Sequence, residues 1–342
     1  MATVSVGIIC QDNETIIREC LESAKWADEI VIVDAFSKDR TLDIAREYTD
    51  KIYQHKVERH LNEQWNRAIG YATCDWFFHF STDQRFTPQL RDEIRVVIQK
   101  NEKYAAYYVP LENYFLGKWI QHCGWSPDYN IMLHKRDKGV CSDKENGLLK
   151  VDGQIGYLKN RLIHYSHTGI SSTISKENVF SMREAEYFLE TKEPFRRRFI
   201  LTKALRNFRK TYWKQEGYKD GMHGLVFCLI FSFNKFLIYA EYWGRLQRQK
   251  KGPRAHEDLS RLVERENYNT SLEAEGLLKE HGIVSEKEMR YQMTVAPLRF
   301  FLKTYIGKMK FFQGVRGLIH CIFGAYIHAI KWSKYWESSR KI

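Results

Sequence analysis

The sequence predicts an α/β fold followed by a mostly helical C-terminal region. Between residues 3 and 85, short apolar runs typical of buried strands alternate with helical patterns, as expected for a parallel sheet covered by helices. In such sheets, ligands bind outside the carboxyl ends of the strands, where strand order reverses. A chain of 342 residues can form one sizeable domain with an appendage. We therefore expect a nucleotide site with a metal-binding end in the first half of the chain.

Three predicted strands end in polar side chains that could bind a ligand. The strands are Val4–Cys10, Glu29–Val33 and Trp76–Phe80. The polar residues that follow them are Asn13 and Glu14, Asp34 and Ser37, and Asp83, respectively. Asn13 with Glu14 could instead cap the next helix, and Ser37 with Asp39 offers a cap close to Thr41. An exposed turn is the alternative interpretation of Asp83.

Several segments of the first half carry a family resemblance. They are residues 13–14, 20–23, 27–34, 37–41, 64–68 and 75–76, and a second block is formed by residues 112–120, 124–129 and 133–136. The first set resembles the nucleotide-sugar half of family 2 (GT-A fold) glycosyltransferases, and the second is similar to the lipopolysaccharide-core β-glucosyltransferase branch. The resemblance implies a GT-A, Rossmann-like nucleotide-sugar domain over residues 1–190.

The resemblance implies a metal ligand at Asp83. Transfer from a nucleoside diphosphate is assisted by a divalent cation that stabilises the departing diphosphate. Where the family has an Asp-x-Asp triplet, this chain has Ser81-Thr82-Asp83, and Gln84 stands where an acidic residue is common. Asp83 is thus the expected ligand of Mg²⁺ or Mn²⁺. The missing first aspartate leaves open a membrane-associated scaffold whose transferase site has decayed.

The expected co-substrate is a nucleotide sugar, with UDP preferred. The implied contacts are Asn13, Glu14, Asp34, Ser37, Gln64, Asn66 and His167. Gln64 and Asn66 lie on the third predicted helix, where a solvated position is the alternative. His164 and His167 follow a predicted strand, Tyr157–Ile163, and precede a helix near Ser172; either histidine could contact the diphosphate or the metal, or pack locally.

An inverting transfer needs a general base for the acceptor hydroxyl. In the resembled branch, a His-Glu pair precedes a Val-x-Gly segment. Residues 141–153 of this chain lack that histidine, and the spacing is shifted. Glu145 is the first candidate, Asp143 the second, and Asp128, expected to line the acceptor site, the third. A solvated loop carboxylate is the alternative for each.

The positive charge lies in the second half. The chain carries +12, which divides into −4 over residues 1–191 and +16 over residues 192–342. Basic surfaces attract nucleic acid and anionic lipid alike, but no recognised nucleic-acid motif accompanies this charge. Seven cysteines show no paired metal spacing. We expect a cytoplasmic protein with no nucleic-acid partner, peripheral on the cytoplasmic face of the inner membrane and bound to anionic lipid.

The tail, residues 191–342, contains a repeat. Leu205–Tyr212 returns as Leu298–Tyr305 at an offset of 93, and Gly221, Gly224, Cys228 and Trp243 have counterparts at the same offset. We interpret the tail as two copies of a helical hairpin, about 198–247 and 291–340, around a charged insert. The apolar helices Leu225–Ala240 and Leu318–Lys331 fall short of the ~20 apolar residues of a membrane span. We expect them to lie in the headgroup layer, with Trp213, Tyr239, Trp243, Trp332 and Trp336 at the interface; packing within the protein is the alternative.

These features together predict an inverting hexosyltransferase. The resemblance implies transfer of glucose from UDP-glucose to a lipid-linked saccharide such as lipopolysaccharide core. A nucleotidyltransferase on a similar sheet is a rival class, but the strand-end loops lack the Lys or Arg clamps that a triphosphate favours.

Overall fold

The computed structural model describes residues 1–58, 61–100, 103–142, 149–251 and 259–340. Its contacts divide the chain into two compact units. The sheet unit comprises Met1–Tyr114 and Ser126–Ser166, and the helical unit comprises Phe115–Trp125 and the chain from His167 onward. This division falls earlier than residue 190, because the helix that begins at Ile170 packs against other helices of the helical unit.

The sheet unit alternates strands and helices through its first hundred residues. The strands of the chain are β1 (Val4–Cys10), β2 (Glu29–Asp34), β3 (Ile52–Gln54), β4 (Trp76–Ser81), β5 (Gln84–Arg85), β6 (Ala106–Phe115), β7 (Lys118–Trp119), β8 (Asp128–Lys135), β9 (Gly139–Cys141), β10 (Leu149–Val151), β11 (Ile155–Tyr157) and β12 (Leu162–His167). The helices of this unit are α1 (Ile17–Ala24), α2 (Thr41–Ala45), α3 (Leu61–Tyr71) and α4 (Pro88–Lys100).

The order of the main sheet is β3-β2-β1-β4-β8-β6-β12-β5. β1 pairs in parallel with both β2 and β4, whereas β8 is antiparallel to β4 and to β6. The chain thus moves outward from β1 in one direction and then returns to β1's other side. The predicted α/β class is confirmed, and the reversal places the ends of β1 and β4 side by side.

Both faces of the sheet are covered. Val6 and Ile8 belong to a core with α1 and α4, and Val33 and Phe77 belong to a second core with α3. Gly7 of β1 makes room for the second core, because a Cβ there would lie 2.1 Å from Cζ of Phe77. Because both faces are buried, the sequences of the parallel strands consist almost entirely of apolar residues.

One predicted strand is wrong. Tyr157–Ile163 is interrupted, since β11 ends at Tyr157 and β12 begins at Leu162. The carboxylate of Glu93 accepts hydrogen bonds from the backbone N–H groups of Lys159 (2.9 Å) and Asn160 (2.8 Å). These bonds hold the intervening residues in a loop.

The helical unit consists mainly of long helices. They are α5 (Ile170–Glu190), α6 (Phe199–Phe208), α7 (Gly221–Lys251), α8 (Leu259–His281), α9 (Glu286–Leu302) and α10 (Gly314–Ser339). Within the described residues, one helix, that of α7, is long and apolar enough to cross a membrane, but 72% of its apolar window is buried. Of the predicted interface residues, Tyr239, Trp332 and Trp336 are buried and Trp243 is half-buried, whereas Trp213 is exposed. The expectation that the apolar helices lie in the headgroup layer is therefore wrong: they form the core of this unit.

The two copies of the repeat have the same local structure. In each, a helix runs into a π-helical turn, a residue with left-handed backbone, a 3₁₀ turn and a glycine with positive φ. The left-handed residues are Glu216 (φ 55°) and Met309 (φ 52°), and the glycines are Gly221 (φ 68°) and Gly314 (φ 60°). Both pairs keep the offset found in the sequence.

Candidate active site

The loops that follow β1 and β2 are joined at the sheet edge. Thr41 Oγ1 accepts a hydrogen bond from the backbone N–H of Asn13 (2.7 Å), and Asp39 accepts one from Glu14 (2.9 Å). The Glu14 carboxylate in turn accepts from the N–H of Arg40 (3.0 Å). The polar residues predicted to meet the base therefore also hold these two loops together.

Asp34 is fully buried at the end of β2. Its Oδ2 accepts hydrogen bonds from the Ser37 N–H (2.9 Å) and from Gln54 Nε2 (2.9 Å), and its Oδ1 accepts from Ser37 Oγ. Both carboxylate oxygens are thus used within the protein. Asp34 and Ser37 therefore bond to each other, and their contact with the base or ribose stays a prediction.

The turn that carries Asp83 is tied to the end of β1. Thr82 Oγ1 lies 3.4 Å from Oδ1 of Asn13, and Gln84 closes the turn by accepting the N–H of Ser81 (2.9 Å). The Asp83 carbonyl accepts the N–H of Tyr165 on β12 (2.8 Å). Gln84, which stands where an acidic residue is common, therefore shapes the turn.

One close approach and two hydrogen bonds connect Asp83 to Asp128. His164 Nε2 lies 3.4 Å from Oδ2 of Asp83, and its Nδ1 lies 2.7 Å from Oδ1 of Asn113. The Asn113 amide then donates to Oδ2 of Asp128 (2.8 Å). Four residues from β6, β8, β12 and the β4–β5 turn thus form one connected group, which we call the Asp83 relay.

The relay fixes the proton position on His164. A carboxylate only accepts, so Asn113 must direct its NH₂ group toward Asp128 and its carbonyl oxygen toward His164. Since that oxygen can only accept, the proton lies on Nδ1 of His164. In the neutral imidazole, the lone pair of Nε2 therefore faces Asp83.

Asp83 and His164 can hold a cation whose remaining ligands come from the substrate and water. Asp83 supplies a carboxylate and His164 an imidazole nitrogen, whereas no cluster of three or more Asp, Glu, His or Cys suited to a metal occurs in the described part of the chain. Mg²⁺ typically uses one or two protein carboxylates and completes its shell with substrate phosphates and water. The two residues fit a cation that arrives with a diphosphate.

Gln64 and Asn66 have structural partners on α3. Gln64 is buried and donates to the carbonyl oxygen of His55 (3.0 Å). Asn66 exchanges two hydrogen bonds with the backbone of Cys141 on β9 (3.0 and 2.8 Å). Both side chains hold protein segments together, and the nucleotide contacts at these positions stay predictions.

His167 packs among aromatic rings, and its contact with the diphosphate or the metal stays a prediction. Its ring is buried in the helical unit, stacked on Trp125 at 5.5 Å between ring centroids and near Phe115 and Phe231. Side chains alternate between the faces of a strand, so residues three apart point in opposite directions. The sequence alone could therefore have predicted that His164 and His167 point to opposite faces of the strand.

Two predicted bases cannot be located, because Asp143 and Glu145 lie outside the described residues. The third, Asp128, lies at the start of β8 and also accepts a longer hydrogen bond from Asn130 (3.4 Å). Asn113 was missed as a site residue. The only signal in the sequence was its position inside the block 112–120 that carries the resemblance.

The chain is similar to known glycosyltransferases. Residues 5–148 match the model of glycosyl transferase family 2. The lipopolysaccharide core biosynthesis glycosyltransferase LpsC of Rhizobium meliloti is 25% identical over 255 residues, which cover 71% of this chain and 92% of LpsC. A glycosyltransferase of Rickettsia typhi, described as uncharacterized, is 25% identical over 256 residues, 70% of this chain and 87% of the relative.

A solved structure is also similar. A crystal structure of residues 1–349 of TarS from S. aureus has 12% sequence identity, a TM-score of 0.37, and coverage of 75% of this chain and 94% of that one.

Proposed function

We propose that the chain is a nucleotide-sugar-dependent hexosyltransferase of the GT-A class, since residues 5–148 match glycosyl transferase family 2. The proposed reaction moves glucose from UDP-glucose, with inversion, to a lipid-linked saccharide such as lipopolysaccharide core. LpsC, whose name describes lipopolysaccharide core biosynthesis, supports this choice of acceptor. We further propose that the protein works at the cytoplasmic face of the inner membrane, bound to anionic lipid and without a nucleic-acid partner.

One observation carries the proposal. Asp83 follows β4 at the point where strand order reverses, and the imidazole of His164 lies beside its carboxylate. This is the edge at which open α/β sheets bind ligands. A divalent cation, Mg²⁺ or Mn²⁺, would be held by Asp83 and His164 and would neutralise charge on the departing diphosphate.

The proposed transfer is a single displacement. The acceptor oxygen forms a bond to the anomeric carbon as the bond from that carbon to the diphosphate oxygen breaks. The acceptor proton passes to a carboxylate, for which Glu145 remains the proposed base and Asp143 the reserve. Asp128 is better suited to positioning, because its carboxylate orients Asn113 and, through Asn113, His164. The bonds of Asn13 and Thr82 keep the turn of Asp83 beside β1.

Radiolabelled donors test the proposal. Purified protein is incubated with UDP-glucose, other nucleotide sugars and Mn²⁺, with lipopolysaccharide core as acceptor. Asp83→Asn is expected to reduce transfer at least about 100-fold, as does loss of a group that stabilises developing charge. Asp152→Asn, which alters an exposed aspartate paired with Lys138, is the matched control and should retain transfer.

Two results would overturn the proposal. Absence of turnover with every donor in both forms would favour the decayed scaffold, which the Ser81-Thr82-Asp83 variant suggests. Incorporation of label from the α-phosphate of a nucleoside triphosphate would favour a nucleotidyltransferase.

A further inference from the structure

An apolar groove and a cationic recess adjoin each other at α6 in the helical unit. The groove, of about 560 Å³, lies between the two copies of the repeat: Leu205 and Phe208 line it from the first copy, and their equivalents Leu298 and Phe301 line it from the second. The recess, of about 1310 Å³, also includes Leu205. An apolar space and a charged space thus meet along one helix.

The recess is rich in unpaired positive charge. Its basic lining residues are Arg198, Lys203, Arg206, Arg209, Lys210 and Lys214. Within the described ranges, Arg206, Arg209, Lys210 and Lys214 have no carboxylate partner. The side chains at Arg206 and Lys210 recur as Arg299 and Lys303 in the second copy. Such a cluster attracts anionic groups strongly, since its charges are not neutralised within the protein.

The groove exposes large apolar side chains to solvent. Leu205 and Leu298 occupy equivalent positions in the repeat and are each 57% exposed, and Trp213 at the groove is also 57% exposed. Contiguous exposed apolar surface beside a charged rim is typical of an interaction site. Any partner that binds this surface therefore needs an apolar group next to an anionic group.

We propose that this surface binds an anionic glycerophospholipid of a bilayer leaflet, with the phosphate in the recess and an acyl chain in the groove. Lysine and arginine near an anionic membrane each strengthen binding, and exposed Trp and Leu add the burial of apolar area. A second copy of this chain fits less well, because an interface formed by the same patch on both copies would bring the two cationic recesses together.

The inference deepens the proposed function and rests on it in one respect: a lipid-linked acceptor requires the enzyme to work at a membrane. It also assigns the membrane contact to segments other than the apolar helices expected from the sequence. The apolar helices α7 and α10 are buried, and the contact is assigned instead to α6, the adjacent π-helical turn that contains Trp213, and α9.

Vesicle flotation of the full chain tests the proposal. The unmodified protein is expected to float with vesicles of phosphatidylcholine mixed with phosphatidylglycerol and not with phosphatidylcholine alone. Arg206→Glu with Lys210→Glu should weaken binding at least about tenfold, and Leu205→Ser with Leu298→Ser should do the same. The matched controls are Lys100→Glu with Lys279→Glu for charge and Tyr268→Ser for an exposed apolar side chain. Thermal unfolding checks that every variant is folded.

Several outcomes would overturn the proposal. They are binding that is equal for neutral and anionic vesicles, binding that the groove and recess variants leave unchanged, and displacement of the protein from vesicles by soluble glycerol phosphate. A dimer in sedimentation velocity that the groove variants dissociate, without flotation, would assign the groove to a second copy. Donor turnover is measured separately without vesicles, so turnover with no flotation rejects the lipid site alone, and flotation with no turnover rejects the transferase alone.

Discussion

His164 Nε2 lies 3.4 Å from Oδ2 of Asp83, and the relay on its far side fixes which nitrogen carries the proton. Asp128 orients Asn113, and Asn113 orients His164. Residues behind a metal-binding histidine commonly set its orientation and tautomer in this way. The arrangement makes predictions for residues that need not touch the substrate.

Removing the amide of Asn113 should weaken the response to metal. In Asn113→Leu, His164 loses the acceptor for Nδ1, so the lone pair of Nε2 is no longer held toward Asp83. We expect the Mn²⁺ concentration for half-maximal transfer to rise by about 10–100-fold. Asn130→Ala, which removes only a long bond to Asp128, should change it far less. Equal effects of the two substitutions would contradict the relay.

The buried pair His79 and His134 should make stability fall in acid. Their Nε2 atoms lie 3.0 Å apart, and burial lowers the pKa of both, with His134 adding to the effect on the pKa of His79. Unfolded histidines gain protons below about pH 6.5, whereas the folded pair does not, so stability is lost as pH falls through that value. The slope should reach about 1.4 kcal/mol per pH unit for each histidine.

Urea unfolding followed from about pH 7.5 to about pH 5.5 measures this slope. His79→Gln should reduce it by removing one of the two buried groups. His281→Gln alters an exposed histidine and should leave it unchanged. A slope that His79→Gln does not alter would mean that other groups cause the acid sensitivity.

Two glycines should respond oppositely to alanine. A Cβ at Gly7 would lie 2.1 Å from the Phe77 ring, so Gly7→Ala should destabilise the protein by about 1–3 kcal/mol through overpacking. A Cβ at Gly70 in α3 would have nothing within 4 Å. Gly70→Ala should therefore stabilise by about 0.5–1 kcal/mol, because alanine favours a helix. Urea unfolding of both variants measures the difference, and a neutral Gly7→Ala would show that Phe77 can move aside.

Lys334 should be important for the helical unit. Its buried ammonium donates to the carbonyl and side-chain oxygens of Asn267 and to the hydroxyls of Thr270 and Ser271, at up to 3.0 Å. Lys334→Met keeps the length but leaves these acceptors without a donor, at a cost of about 3 kcal/mol in unfolding free energy. Lys331→Met breaks a more exposed pair with Glu273 and should cost less than about 1 kcal/mol. Similar losses for the two variants would contradict this role.

Much of the sheet was predictable, and part of the site was not. β1, β2 and β4 are apolar runs with local signals, so the sequence located them and Asp83 beyond them. The other relay residues come from β6, β8 and β12, which reach Asp83 only after antiparallel pairing across the sheet. No local pattern gives that pairing.

The same limit applies to Asn66 and to the apolar helices. Asn66 is a polar residue on a helix, but its partner Cys141 lies on a strand distant in the chain. The repeat was visible because its copies keep one offset. The burial of α7 and α10 was not, because it depends on how the helices pack against one another.

Asp34 imposes a condition on any nucleotide that uses it. Both oxygens of its enclosed carboxylate are engaged by Ser37 and Gln54. The carboxylate is also fully buried, so a uridine can bond to it only after the surrounding loop shifts, which lowers the net affinity. Association would then be slower than diffusional encounter.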